Sequence, residues 1–204
     1  MLQTQTVLAS TLELLKNLMA QPELKDFALA GGTSLSLQIG HRISVDLDFF
    51  GNSPFETTEM LDILHPLGKV KIMKQSRNIL ITDVNGVKVD FVNYRYPLLK
   101  DILKIENIRL LSTADISAMK FAAVAGRGRK RDFIDIYFLL QEYSLKEMMA
   151  FYNAKYSDGS EMMVARSLTY FDDADGDEEL ELLKDADWNT VKKTISKAVN
   201  SLYK

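Results

Sequence analysis

An apolar tetrapeptide, Phe27-Ala-Leu-Ala30, runs straight into a glycine pair, Gly31-Gly32. Two aspartates one residue apart, Asp46 and Asp48, follow fifteen and seventeen positions after the first glycine. This spacing predicts a buried strand over 27–30 and a glycine turn. A short helix over 33–39 follows, with Thr33 or Ser34 able to cap it, and then a strand over 43–50. Carboxylates at i and i+2 of a strand point to the same face. Two like charges held together call for a divalent cation, and magnesium is commonly bound by one or two carboxylates plus substrate phosphates. A glycine turn opening a helix presents backbone N–H groups to a phosphate. Together these features imply a metal–nucleotide site. The plainer alternative is a solvated strand face. Val45, Leu47, Phe49 and Phe50 argue against it, because a solvated strand needs no such apolar neighbours.

Composition narrows the chemistry. With no cysteine there is no disulfide, thiolate metal site or cysteine nucleophile. A net charge of -3 gives no global field to attract nucleic acid, so any such contact must come from a local patch. No apolar run reaches membrane-spanning length, and the first residues lack the pattern of a secretory leader. A cytoplasmic protein without membrane contact is expected. Its 204 residues suit one domain, or one with a helical extension.

Elsewhere the chain alternates between clear and weak signals. Apolar positions at helical spacing predict a helix over 6–19, closed by Pro22, and a further helix is expected over 56–65. Two alternating runs around Asn85-Gly86 predict a β-hairpin, because Asn-Gly supplies the two positive-φ residues of a two-residue turn. Its second strand puts Lys88, Asp90 and Val92 on one face. Asp90 there is a candidate metal ligand, an ion-pair partner or an edge residue. Residues 94–111 give a mixed signal. Ser112 to Asp115 resembles a capping box before a helix from Ile116, and Gly126-Arg-Gly-Arg-Lys-Arg131 interrupts it. A second helix opens at Asp132, with Asp132 and Asp135 on one face of its first turn, where acidic groups also suit the helix dipole. Helices are expected over 145–155, 160–170 and 188–202. The acidic run 172–179 fails as a calcium loop, because Phe171 and Leu182 fall where ligands are required, and it reads as a solvated loop. Arg127 to Arg131 is a candidate patch for an RNA backbone or an antitoxin, or else a solvated loop.

Glycine pair, Asp-Leu-Asp and a later strand aspartate resemble the nucleotidyltransferase superfamily of DNA polymerase β type. Gly-Gly-Thr-Ser-Leu, His-Arg-Ile-Ser-Val-Asp-Leu-Asp-Phe-Phe, and Lys120 followed by Arg-Asp-Phe-Ile-Asp-Ile-Tyr-Phe-Leu-Leu are similar to the AbiEii/AbiGii toxin family, a likeness over residues 5–200. The resemblance implies an α+β fold, a mixed sheet flanked by helices with a helical C-terminal half. Residues 1–111 would form the core, and 112–204 a helical part completing the active site. It implies transfer of a nucleoside monophosphate from an NTP to an RNA (tRNA-like) or protein acceptor, with the toxin of a toxin–antitoxin pair as one form and a cognate antitoxin as partner. Asp46 and Asp48, with Asp90 as third carboxylate, would hold Mg2+ or Mn2+. Gly31, Gly32, Thr33, Ser34 and Arg42 would bind phosphates. Lys120 would neutralise the triphosphate, positioned by Asp132 or Asp135. His41 is as readily structural. A non-catalytic binding module of the same fold and a metal-dependent phosphoesterase are the alternatives. The glycine cradle and Lys120 argue against the phosphoesterase, and the intact Asp46/Asp48 pair against the module.

Overall fold

The computed structural model describes residues 1–202, which fall into two compact units. The first comprises Met1–Tyr96 and Asp101–Leu111. The second takes Pro97–Lys100 and the chain from Ser112 onward. The fold is α+β.

The first unit is built on a seven-stranded mixed sheet. Its strands are β1 (Phe27–Ala30), β2 (Leu47–Gly51), β3 (Val70–Ser76), β4 (Ile79–Val84), β5 (Val87–Asn93), β6 (Leu103–Ile105) and β7 (Ile108–Leu110), in the order β3-β4-β5-β2-β1-β7-β6. Helices α1 (Ala9–Met19), α2 (Gly31–Ile39) and α3 (Thr57–Leu64) belong to the same unit. Alternation along the strands sorts the residues. Leu47 and Phe49, Leu80 and Val84, and Val89 and Phe91 are buried in one apolar cluster with Leu14, Leu15 and Leu18 of α1 and Met60 and Leu64 of α3. Removing a large apolar side chain of this kind from water stabilises by about 1.5–3 kcal/mol. Asp48 and Asp90 fall on the other parity of β2 and β5, away from the core.

The β4–β5 hairpin forms around Asn85-Gly86 as predicted, with φ of 53° and 85°. Three expectations change. Strand β2 begins at Leu47, not at 43, because the preceding backbone is bonded elsewhere. Ser44 N donates to Thr6 O, Ile43 O accepts from Arg42 Nη1, and Asp46 O accepts from the Thr33 hydroxyl. Helix α2 begins at Gly31 with Ala30 as N-cap and no side-chain cap, so Thr33 and Ser34 lie inside it. The mixed signal over 94–111 resolves into the hairpin β6–β7, turned by Glu106 and Asn107 at positive φ. Strand β3 was not foreseen: all but its first residue are exposed, so it lacks a buried face to set a period. Arg109 on β7 secures the corner it faces, donating to the carbonyls of Phe27, Met19 and Leu24 at 2.8, 3.0 and 2.9 Å.

The second unit is helical. It contains α4 (Thr113–Gly126), α5 (Lys130–Leu139), α6 (Leu145–Lys155), α7 (Glu161–Ser167), the short α8 (Asp172–Asp175) and α9 (Trp188–Ser201). Ser112 caps α4 by accepting from Asp115 N, so the helix starts three residues before Ile116. A full capping box between Ser144 and Glu147 starts α6. Among the described residues no helix is long and apolar enough to cross a membrane.

Candidate active site

Site residues predicted from the sequence gather into two clusters, one in each unit. In the sheet unit, Asp48 and Asp90 stand directly opposite each other in the parallel register of β2 and β5, so their side chains share a face. Asp48 Oδ2 lies against Gly31, where φ is +67°, and a Cβ at that position would overlap the carboxylate. Gly32 is similarly close to Arg42 Nη2. The glycine pair thus lets a carboxylate and a guanidinium approach the first turn of α2. The carboxylate suits the positive end of that helix, and the first-turn N–H groups of any helix lack intrahelical partners.

The hydroxyls expected to contact phosphate are engaged within the fold. Thr33 is 1% exposed, donates to the Asp46 carbonyl and lies 2.8 Å from Ser44 Oγ. Ser34 is fully buried and accepts from Gln38 Nε2 at 3.2 Å. Thr33 thereby fixes the backbone of Asp46, a role that no local spacing signals. Arg42 and His41 are both buried.

Asp90 is buried, and its Oδ2 accepts from Lys88 Nζ at 2.5 Å. Its Oδ1 is buried with no hydrogen-bond partner. Burial pushes the Asp90 carboxyl above its ordinary range. Lys88 opposes that shift and the nearby Asp46 reinforces it. Among the described residues no three His, Asp or Glu side chains converge closely enough to hold a metal by themselves. The donor set nevertheless fits a hard divalent cation. It offers carboxylate oxygens only, one of them orphaned, and magnesium is ordinarily completed by water and substrate phosphate. Lys88 went unassigned in the sequence, although the alternation of β5 already placed it beside Asp90.

In the helical unit, Lys120, Asp132 and Asp135 do come together. Lys120 Nζ lies 2.9 Å from Asp132 Oδ1 and 2.5 Å from Asp135 Oδ2, with both carboxylates fully buried. Arg127 adds a bond to Asp132 Oδ2 at 2.9 Å. Burial alone would raise the Asp132 pKa, but Lys120 and Arg127 together hold it below the usual carboxylate range. Within the basic run 127–131, Arg127, Arg129 and Lys130 are ion-paired, while the Arg127 and Arg129 side chains stay 51% and 57% exposed. Besides Arg127 on Asp132, Arg129 binds Asp177 through Nε and Nη2, and Lys130 Nζ reaches Glu179 at 2.9 Å. The acidic run 172–179 is exposed along most of its length, as expected, but its first four residues form α8 and some of its carboxylates are engaged: Asp177 holds the start of α5, and Asp175 bonds Trp188 Nε1 and Lys192.

The sheet order, the glycine-led helix and the facing carboxylates define a class, the nucleotidyltransferase fold. Similar folds occur in JHP933 from Helicobacter pylori (TM-score 0.59, 18% identity, 95% of this chain and 89% of that chain). They occur also in MenT4, a nucleotidyltransferase toxin from Mycobacterium tuberculosis H37Rv (TM-score 0.59, 14% identity, 95% of this chain and 86% of that chain). More particularly, the chain belongs to the nucleotidyl transferase AbiEii toxin family, of Type IV toxin–antitoxin systems, which residues 13–97 and 73–201 match. It is 38% identical over 155 residues to the protein aq_aa25 of Aquifex aeolicus (strain VF5), across 73% of this chain and 75% of that protein.

Proposed function

We propose that this protein is a metal-dependent nucleotidyltransferase that moves a nucleoside monophosphate from an NTP to an RNA or protein acceptor. The observation that carries the reading is the Asp48 carboxylate, laid over Gly31 at the start of α2 and opposite Asp90. That placement supports a Mg2+ or Mn2+ bound together with phosphate at the start of α2. When bound, the ion would neutralise charge on the phosphates and orient them. Asp46 and Asp48 would hold it. The backbone N–H groups of Gly32 and Thr33 would donate to phosphate oxygens, while the Thr33 hydroxyl keeps Asp46 in place. An acceptor hydroxyl then attacks the α-phosphorus, the bond to the β-phosphate breaks, and pyrophosphate leaves. Lys120 enters the proposal as a neutralising charge whose availability Asp132 and Asp135 set.

Family membership supports a role as the toxin of a toxin–antitoxin pair, acting in the cytoplasm and held in check by a cognate antitoxin protein. The test incubates the protein with each α-labelled NTP, Mg2+ or Mn2+, and total cellular RNA and protein. Label transfer that Asp48→Ala abolishes is expected. Nucleotide binding without transfer to any acceptor would turn the reading to a binding module.

A further inference from the structure

Two-metal transfer sites place ions about 3.5–4 Å apart, where together they clamp the attacking and leaving oxygens. The sheet of this protein supplies the carboxylates for such a clamp, but a cation of its own is already among them. Lys88 and Asp90 are two residues apart on β5, so strand alternation puts both on the face that carries Asp48. The Lys88 side chain is 36% exposed and that of Asp90 12%, with Nζ and Oδ2 2.5 Å apart. The pairing is set by two neighbouring positions of one strand, so no loop has to close to make it. We propose that the Lys88 ammonium stands where a second metal ion would stand and keeps Asp90 for itself, so that Asp46 and Asp48 hold one divalent cation with the nucleotide and not two. The inference rests on the metal-dependent reading above.

Two considerations favour it. An ammonium is a compact point charge that can do the electrostatic work of an ion, though not its multidentate coordination. Lys88 occupies only one oxygen of Asp90, and Oδ1, buried and without a hydrogen-bond partner, is left to accept from an acceptor hydroxyl.

The experiment counts Mn2+ by electron paramagnetic resonance with a saturating α,β-methylene NTP analogue, which cannot be cleaved at the transferred phosphate. One bound Mn2+ per chain is expected for the wild type, two for Lys88→Met, and one for Lys88→Arg, which keeps the charge. Two ions per wild-type chain would overturn the proposal, because Lys88 would then have moved aside. A single ion in both wild type and Lys88→Met would overturn it equally. Asp48→Ala separates this from the parent reading: if its Mn2+ count equals that of the wild type, metal binding at the sheet is itself wrong. Thermal melting of each variant confirms that the counts come from folded protein.

Discussion

Gly31 and Asp48 share a volume that one methyl group would fill: a Cβ on the glycine would overlap Oδ2 of the aspartate. Gly31→Ala therefore carries two penalties. A non-glycine residue in the left-handed region costs about 1–2 kcal/mol, and the carboxylate must move. Gly86→Ala is the control. Its φ of +85° is strained too, but nothing lies within 4 Å of its Cβ. Both variants should melt a few degrees lower, whereas nucleotidyl transfer should fall about 100-fold or more only in Gly31→Ala, as for other losses of reacting-group geometry. Equal activity in the two would remove Gly31 from the site.

Thr33→Val tests whether that hydroxyl serves phosphate or Asp46. Thr33 is buried and its bond to the Asp46 carbonyl part-buried, and an acceptor left unmatched on full burial costs about 1–3 kcal/mol. The expected signature is a higher Mn2+ concentration for half-maximal transfer, with the NTP KM little changed at saturating metal. A raised KM at an unchanged metal requirement would make Thr33 a phosphate ligand after all.

Lys120→Met should unfold more readily, by about 3–5 kcal/mol in urea titration, because breaking a buried pair strands its carboxylates. The pH dependence has a definite sign. Asp132 has a folded pKa below its unfolded value, near 3.9 for an unperturbed aspartate. Its stabilising contribution is therefore complete above about pH 4 and lost as pH falls further through the folded value. Acid titration followed by circular dichroism should show the wild type retaining helix below pH 4, and Lys120→Met losing it at higher pH.

Lys155 is fully buried, bonded to Asp115 Oδ1 at 2.7 Å and to the Pro97 carbonyl at 2.6 Å. Lys155→Met should destabilise by about 3–5 kcal/mol. Asp115→Asn in the same chain should recover part of that loss by removing the stranded charge. A double variant as unstable as the sum of the two singles would show that the ion pair is not coupled.

Legibility in the sequence followed the local character of each signal. The hairpin at Asn85-Gly86 and the Ser112 and Ser144 helix starts are decided within a few residues, and short spacing reveals them. Strand β3 is set by its pairing with β4 across a bulge between Ile72 and Lys74, which no periodicity records. The site divides the same way. Gly31, Asp48 and Asp90 could be named from spacing, but the Thr33 bond to Asp46 spans thirteen positions and exists only once α2 has formed. The pairing of Arg129 and Lys130 with Asp177 and Glu179 spans nearly fifty, so the basic run does not reveal its own counter-charges.

The tetrapeptide Pro97–Lys100 packs with the helices although sheet-unit chain lies on both sides of it. Asp115 accepts from the backbone N–H groups of Leu99 and Lys100, and Lys155 donates to Pro97 O. The helical unit is therefore not a contiguous stretch of the gene. A C-terminal fragment cut at Ser112 would be expressed without the backbone that satisfies its own buried carboxylate, whereas a cut before Pro97 would keep it.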